Sequence, residues 1–461
     1  MAHTRIPSRT RIAVGAATLA VAAAAVLLGG VLRDSASQAA PTASDPDAAP
    51  WLQAGFALGL DTQGLVRELQ SRVRTAPQDA QSLTLLGLAY QQRARETGDP
   101  IYYAKADGVL HGALAVAPKY MLATSGLGSL ALSRHEFRAA LALGRDAVAL
   151  APVTARNYGI VGDALVELGR YPEAFSAFDT IARLRPSVSA YARISYAREL
   201  RGDRASAISA MLLAVDAAKG QPEPMAWTRV QLGKLYWNGG RPAAAERAYR
   251  EALAVFPGYV YALDQLALVE AAKGRPTRAI ALERQAVDRI PLPQFVSTLG
   301  DLYAARGQHA LAAKQVALIG VINKLLAANG VRTDLESTLY DVDHGTRLST
   351  AVARARAARA DRPSIDGDDV LGWALTRTGR CAEGLAWARR SLRLGTQDPL
   401  KVFHLGMAQR CAGQPAAARA SFRRALVLNP HFSVLWAPAA RAGSAGTAAV
   451  APLATTMRAA S

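Results

Sequence analysis

Apolar residues recur along this chain at i, i+3, i+4 and i+7, the spacing that gives an α-helix one buried stripe. Met225 to Pro257 shows the pattern in full. A first helix is predicted from Ala226 to Trp237, stopped by Asn238-Gly239-Gly240. A second opens at Arg241-Pro242, where proline is tolerated in the first turn, and runs through Ala245, Ala248, Tyr249 and Ala252 to Phe256-Pro257. A small residue preceded by an apolar one marks the first helix of each such pair. It stands at Leu86-Gly87, Leu127-Gly128, Val161-Gly162, Ile194-Ser195, Leu232-Gly233, Leu266-Ala267, Leu299-Gly300, Leu371-Gly372 and Leu405-Gly406, with a degenerate unit at Thr338. Prolines close the units at Pro77, Pro118, Pro152, Pro186, Pro222, Pro257, Pro291, Pro363 and Pro430. Two independent markers sharing a period of about 34 residues specify a helical repeat array rather than a globular enzyme.

The residues inside the units resemble the tetratricopeptide repeat. The third unit carries Tyr158, Val161-Gly162, Gly169-Arg170-Tyr171, Ala174, Phe178, Ala182 and Pro186; the last carries Leu405-Gly406, Gly413-Gln414, Ala417, Phe422, Ala425 and Pro430. The resemblance implies an all-α, right-handed α-solenoid of about ten helix-turn-helix repeats over residues 78–430. A capping helix over 59–77 precedes it, and residues 431–461 read as a flexible tail rich in Ala, Gly, Ser and Pro. Extra residues around Gly98-Asp99-Pro100 lengthen the first unit, and the seventh is lengthened between Ile319 and Asn329.

The resemblance also implies where a ligand sits. The first helix of each pair lines the concave face, which in the central units presents Arg193, Tyr196, Trp227, Gln231, Lys234, Trp237, Asn238, Tyr261, Asp264, Gln265 and Asp301. Aromatics mixed with amides and charges suit a groove for an extended peptide. Trp227 and Tyr261 equally suit inter-repeat packing, because a helix-phase difference of one residue exchanges the two roles. The carboxylate clamp of some family members is missing: its positions hold Gln81, Thr84, Leu85, Leu122, Ser125 and Gly126.

The N-terminus adds a location. Arg5, Arg9 and Arg11 in a basic region (1–11) precede an uncharged apolar run from Ile12 to Leu32. About 20 apolar residues cross a bilayer, and the leading charges keep the N-terminus in the cytoplasm. Residues 12–32 therefore read as a membrane anchor or as a signal sequence cleaved near Ala39. Residues 33–58 read as a disordered linker. Both alternatives put the solenoid outside the cytoplasm, either membrane-anchored or secreted. In that setting Cys381 and Cys411, the only cysteines, are expected to pair: one opens the second helix of a unit and the other ends the first helix of the next.

Charge adds a competing reading. The net charge over 461 residues is +18, and arginine concentrates after Gly345. Arg354, Arg356, Arg359, Arg389, Arg390, Arg393, Arg419, Arg423 and Arg424 form either a solvated surface or a face for anionic lipid, cell-wall polymer or nucleic acid. Catalytic patterns are weak. Gly126-Leu127-Gly128-Ser129 lies inside a helix without a preceding strand, and His135-Glu136 lacks a second histidine. Asp341-Val342-Asp343 and Asp366-Gly367-Asp368-Asp369 only faintly resemble calcium loops. The sequence thus predicts a non-enzymatic scaffold at the cell envelope with an unidentified protein or peptide partner, no nucleic acid, and no metal or cofactor.

Overall fold

The computed structural model describes residues 61–446, so the expectations for residues 1–60 and 447–461 lie outside the described residues. The described residues form 22 helices and no strand. In order they are α1 (Thr62–Thr75), α2 (Ala80–Thr97), α3 (Ile101–Val116), α4 (Met121–Ser133), α5 (Phe137–Leu150), α6 (Ala155–Glu167) and α7 (Tyr171–Leu184). Then come α8 (Val188–Leu200), α9 (Arg204–Ala217), α10 (Pro222–Asn238), α11 (Pro242–Val255), α12 (Val260–Ala272), α13 (Pro276–Arg289) and α14 (Pro293–Ala305). The remainder are α15 (His309–Ala328), α16 (Asp334–His344), α17 (Leu348–Asp361), α18 (Ile365–Arg377), α19 (Cys381–Ser391), α20 (Pro399–Cys411), α21 (Pro415–Leu428) and α22 (Ala437–Ala445). Even-numbered helices from α2 to α20 open the ten units and odd-numbered ones close them; α1 caps the array.

The small-residue marker has a steric cause. A Cβ on Gly233 would lie 2.2 Å from the ring of Tyr249, and one on Gly162 would lie 2.4 Å from Phe178. Both rings belong to second helices and are fully buried. The missing side chain is the space the partner ring fills. Gly300 faces no ring, the nearest atom to its added Cβ being Gln315 Cβ at 3.3 Å. Gly233→Ala is therefore expected to destabilise by about 1–3 kcal/mol through overpacking. Gly300→Ala is expected to cost markedly less than Gly233→Ala, because the contact is looser and Ala is about 1 kcal/mol the better helix former. Chemical denaturation of the two variants measures the contrast.

A turn separates the helices of each unit, and nine of the ten turns carry a glycine at positive φ, from Gly98 to Gly413. The second unit uses His135 there, at φ 59. Cys381 and Cys411 are joined in a disulfide with Cα atoms 5.2 Å apart, tying α19 to α20.

The expected flexible tail is corrected over residues 431–446. Trp436 is 3% exposed and packs against Trp373 and Phe403, with ring centroids at 5.4 and 5.6 Å. Its indole N–H and that of Trp373 both donate to Asp343 Oδ1 at 2.8 Å. The small residues of α22 cover the last repeat, Gly443 lying against Phe422. Composition suggested disorder because Ala and Gly here serve close packing.

The superhelix closes on itself. Tyr171 Oη accepts from the Ile365 N–H at 2.7 Å, a separation of 194 residues. Gln397 donates to the Gly202 carbonyl at 3.0 Å across 195 residues, and Arg204 donates to the Gln397 carbonyl at 3.1 Å across 193. The His135 ring meets the Arg332 carbonyl at 2.7 Å across 197 residues. A nearly constant separation means that one superhelical turn rests on the next. With about 34 residues per repeat, each turn takes a little under six units.

Candidate functional site

Self-contact decides what the concave face can offer. Turns within the early units abut turns between the late units, so the inner surface becomes the wall of a narrow interior. Arg362, with only 10% of its side chain exposed, bridges the two layers by bonding Glu167 of α6 and Glu336 of α16. Farther out, Arg138 donates to the Ala360 carbonyl at 2.7 Å.

Five predicted groove residues belong to packing instead. Trp227 and Tyr261 are 1% and 5% exposed. Tyr261 lies edge-on to Phe295 at 5.3 Å. Arg193 is 2% exposed and grips Asp163 with two hydrogen bonds of 2.9 and 2.6 Å. Burial pushes the Asp163 carboxyl up to about 6, and Arg193 opposes that rise. Trp237 packs on His431, with ring centroids at 6.5 Å, and Asp264 is also buried. Trp237 is covered from the next layer, and the other four share one physical reason. A first helix packs against its own partner and against the first helices on both sides, so it is buried nearly all round; α4 is buried continuously from Ala123 to Ser133.

Tyr196, Gln231, Lys234, Asn238, Gln265 and Asp301 remain partly open. Asp301 accepts from His344 at 2.7 Å, and Gln265 donates to Asp264 at 2.6 Å. Tyr196 and Asn238 line a cavity of about 130 Å³ between the two superhelical layers. Glu199 and Arg204 share that wall, and Asp366, Asp398 and Lys401 face them from the next layer. Lys401 is shared by two carboxylates, bonding Asp366 at 2.7 Å and Asp398 at 3.3 Å. Glu199 meets only the Asn238 amide, at 3.5 Å, and Arg204 only a carbonyl. Neither has an ion-pair partner among the described residues. Burial raises the Glu199 carboxyl above its ordinary range and lowers the nearby Lys234 amine. The sequence reading missed Glu199 and Arg204, which lie at the end of α8 and the start of α9 and face inward only because the next layer covers them.

Deeper in the wall, Glu283 is fully buried beside Asp264. Burial, with the Asp264 charge added, pushes its carboxyl up to about 10. The folded state therefore keeps a proton that the unfolded chain releases above about pH 4.5, and this group's contribution to stability falls as pH rises from there. Glu283→Gln keeps the shape without the titration. It is expected to stabilise the fold by about 1–3 kcal/mol at neutral pH and to flatten the pH dependence; melting curves across pH read both effects.

The acidic runs are occupied internally. Asp341 holds Arg347 and Arg354, and Asp343 holds two indoles. Asp368, fully buried, is met by Arg359, Arg390 and Arg393, and Asp369 pairs with His404 at 3.0 Å. Of the nine arginines of the basic region, Arg356 pairs with Glu383. Arg389, Arg419, Arg423 and Arg424 stay exposed without an ion pair among the described residues.

Residues 162–222 and 230–292 match the tetratricopeptide repeat family. These two segments are similar to tetratricopeptide repeats. The matched segments include the units in which Gly162 and Gly233 receive the large rings. The fold is similar to a thermophilic tetratricopeptide repeat protein of Thermus thermophilus, at 23% identity and TM-score 0.37, over 42% of this chain and 98% of that one. A tetratricopeptide repeat protein of Parabacteroides merdae is similar at 16% identity and TM-score 0.42, over 54% and 95%. The human IFIT1 dimer matches at 15% identity and TM-score 0.43, over 82% and 88%. No curated protein matches the chain in sequence. Tetratricopeptide repeats are generally protein–protein interaction scaffolds, and residues 162–222 and 230–292 are the part of this array that matches them.

Proposed function

We propose that this chain is a non-enzymatic scaffold of the cell envelope that receives a protein segment in the cleft between its superhelical layers. The observation carrying this reading is that Glu199 and Arg204, without an ion-pair partner among the described residues, line a cavity in which Asp366 and Asp398 share the single Lys401. A basic side chain of the partner would satisfy Glu199, and a backbone or acidic group would satisfy Arg204. Export is supported by the charged and apolar pattern of residues 5–32 and by the disulfide between Cys381 and Cys411, since such bonds persist in oxidising compartments. An uncleaved run holds the scaffold at the membrane; cleavage near Ala39 releases it. Mass measurement of the mature N-terminus separates the two.

The second reading is polyanion binding through Arg389, Arg419, Arg423 and Arg424, favoured by their exposure without carboxylate partners. A photo-crosslinking residue at position 238 tests the first. Crosslinks should survive moderate salt and disappear in Glu199→Gln, while the four arginines should be dispensable. Capture that collapses between low and moderate salt and depends on those arginines transfers the function to the basic face. Absence of any crosslink at position 238 rejects the cleft.

A further inference from the structure

The helix α15 departs from its sister helices. It has 20 residues, whereas the second helices of the units on either side, α13 and α17, have 14. Only Ala312 and Ile319 are buried, both on the side facing the rest of the array. It packs on α14 yet makes almost no contact with α16, so the side that an ordinary repeat would cover stands open. The exposed apolar stripe runs the whole length through Ala313, Ala317, Val321, Leu325 and Ala328, in steps of three or four residues, and the exposed Lys314 and Lys324 lie on the same face. Val321 is 55% exposed and Leu325 53%. Its mean hydropathy of 1.5 and its length match a membrane-crossing segment. Crossing is precluded by its docking along α14; lying flat on a surface is not.

Charge selects the surface. From His309 to Ala328 there is no Asp or Glu, and the charged residues are Lys314 and Lys324. An exposed helix face that combines apolar side chains with lysines and carries no carboxylate of its own is suited to the headgroup region of an anionic bilayer. There the apolar side chains enter the acyl boundary and each lysine gains about 1 kcal/mol from the surface potential. A second copy of the chain is a poor occupant. Antiparallel pairing of the stripe about its centre would set Lys314 against Lys324 of the other copy, like charge against like in a self-complementary contact.

We propose that α15 is a peripheral membrane-docking helix that lays Val321 and Leu325 into an anionic lipid surface. This holds whether or not the N-terminal run stays attached; with the run in place, docking would fix the orientation of the tethered solenoid.

The full-length protein with Leu325→Cys, labelled with bimane under conditions that preserve the native disulfide, provides the test. The label should shift to the blue and be quenched by brominated acyl chains when phosphatidylglycerol-containing vesicles are added. The same label at Val427→Cys, on the far-exposed face of α21, should respond to neither. Lys314→Glu with Lys324→Glu should abolish the quenching at position 325 without changing the melting temperature, since both positions are exposed. Three outcomes overturn the proposal. One is vesicle association without quenching at position 325, which leaves attachment to the N-terminal run alone. Another is equal quenching in purely zwitterionic vesicles. The last is a blue shift without vesicles that grows with protein concentration, which marks a contact between copies.

Discussion

Arg362→Met is expected to destabilise the protein by about 3–5 kcal/mol, because it strands a buried carboxylate. Glu167 has only 1% of its side chain exposed, and Arg362 is the cation beside it. Burial raises the Glu167 carboxyl, and Arg362 opposes that rise. Without the arginine the folded state keeps Glu167 protonated further up the pH scale, while the unfolded chain still ionises near about pH 4.3. The loss should thus be small in acid and should grow as pH rises through that range. Two comparisons attribute it to the seam between superhelical layers. Glu167→Gln combined with Arg362→Met should recover most of the stability, since the stranded charge is gone. Glu336→Gln alone should cost much less, because Glu336 is 48% exposed where it meets Arg362. Thermal melts at two pH values measure all three variants.

Gly202→Ala is expected to be the second large effect, with Gly274→Ala as its internal control. Both glycines occupy the turn between the helices of a unit, at φ +77° and +72°. Placing alanine there costs about 1–2 kcal/mol in either case. Their surroundings differ. A Cβ at Gly202 would lie 2.2 Å from the carbonyl oxygen of Gly395, whereas nothing lies within 4 Å at Gly274. The obstruction is backbone, which cannot rotate aside. The layers must separate locally, and the hydrogen bonds linking Gly202, Gln397 and Arg204 are lost with them. At about 1 kcal/mol for each bond, Gly202→Ala should cost about 2 kcal/mol more than Gly274→Ala. Equal losses at the two glycines would remove the case for a tightly closed seam.

The repeat was legible in the sequence because each unit solves the same steric problem. Gly233 and Tyr249, like Gly162 and Phe178, are complementary pairs at fixed spacing, and the period follows from them. Phase on the period also brought Cys381 beside Cys411, since consecutive helices of neighbouring units are antiparallel and short. The inner face was less legible. Trp227 and Arg193 sit at positions that reach a ligand in an open array, yet here they are enclosed by neighbouring first helices. No local pattern announces that enclosure, because it depends on three helices at once. Closure of the superhelix was invisible for a related reason. It accumulates from a small rotation at each of about six junctions, and the residues it brings together, such as Glu167 and Arg362, look like ordinary surface charges. The lengthened seventh unit was visible as an irregularity near Ile319; its bare apolar stripe emerged only with the missing contact to α16.

Successive layers of the solenoid touch. Nitroxide labels at Arg138→Cys and Ala360→Cys, with the native disulfide left oxidised, test this directly. The two positions are exposed and 222 residues apart, yet Arg138 reaches the Ala360 carbonyl at 2.7 Å. The closed superhelix predicts a continuous-wave spectrum strongly broadened by dipolar coupling, reverting to the sum of the single-label spectra in denaturant. An unbroadened spectrum from the folded, doubly labelled protein would mean that the layers stand apart in solution and that the superhelix is open.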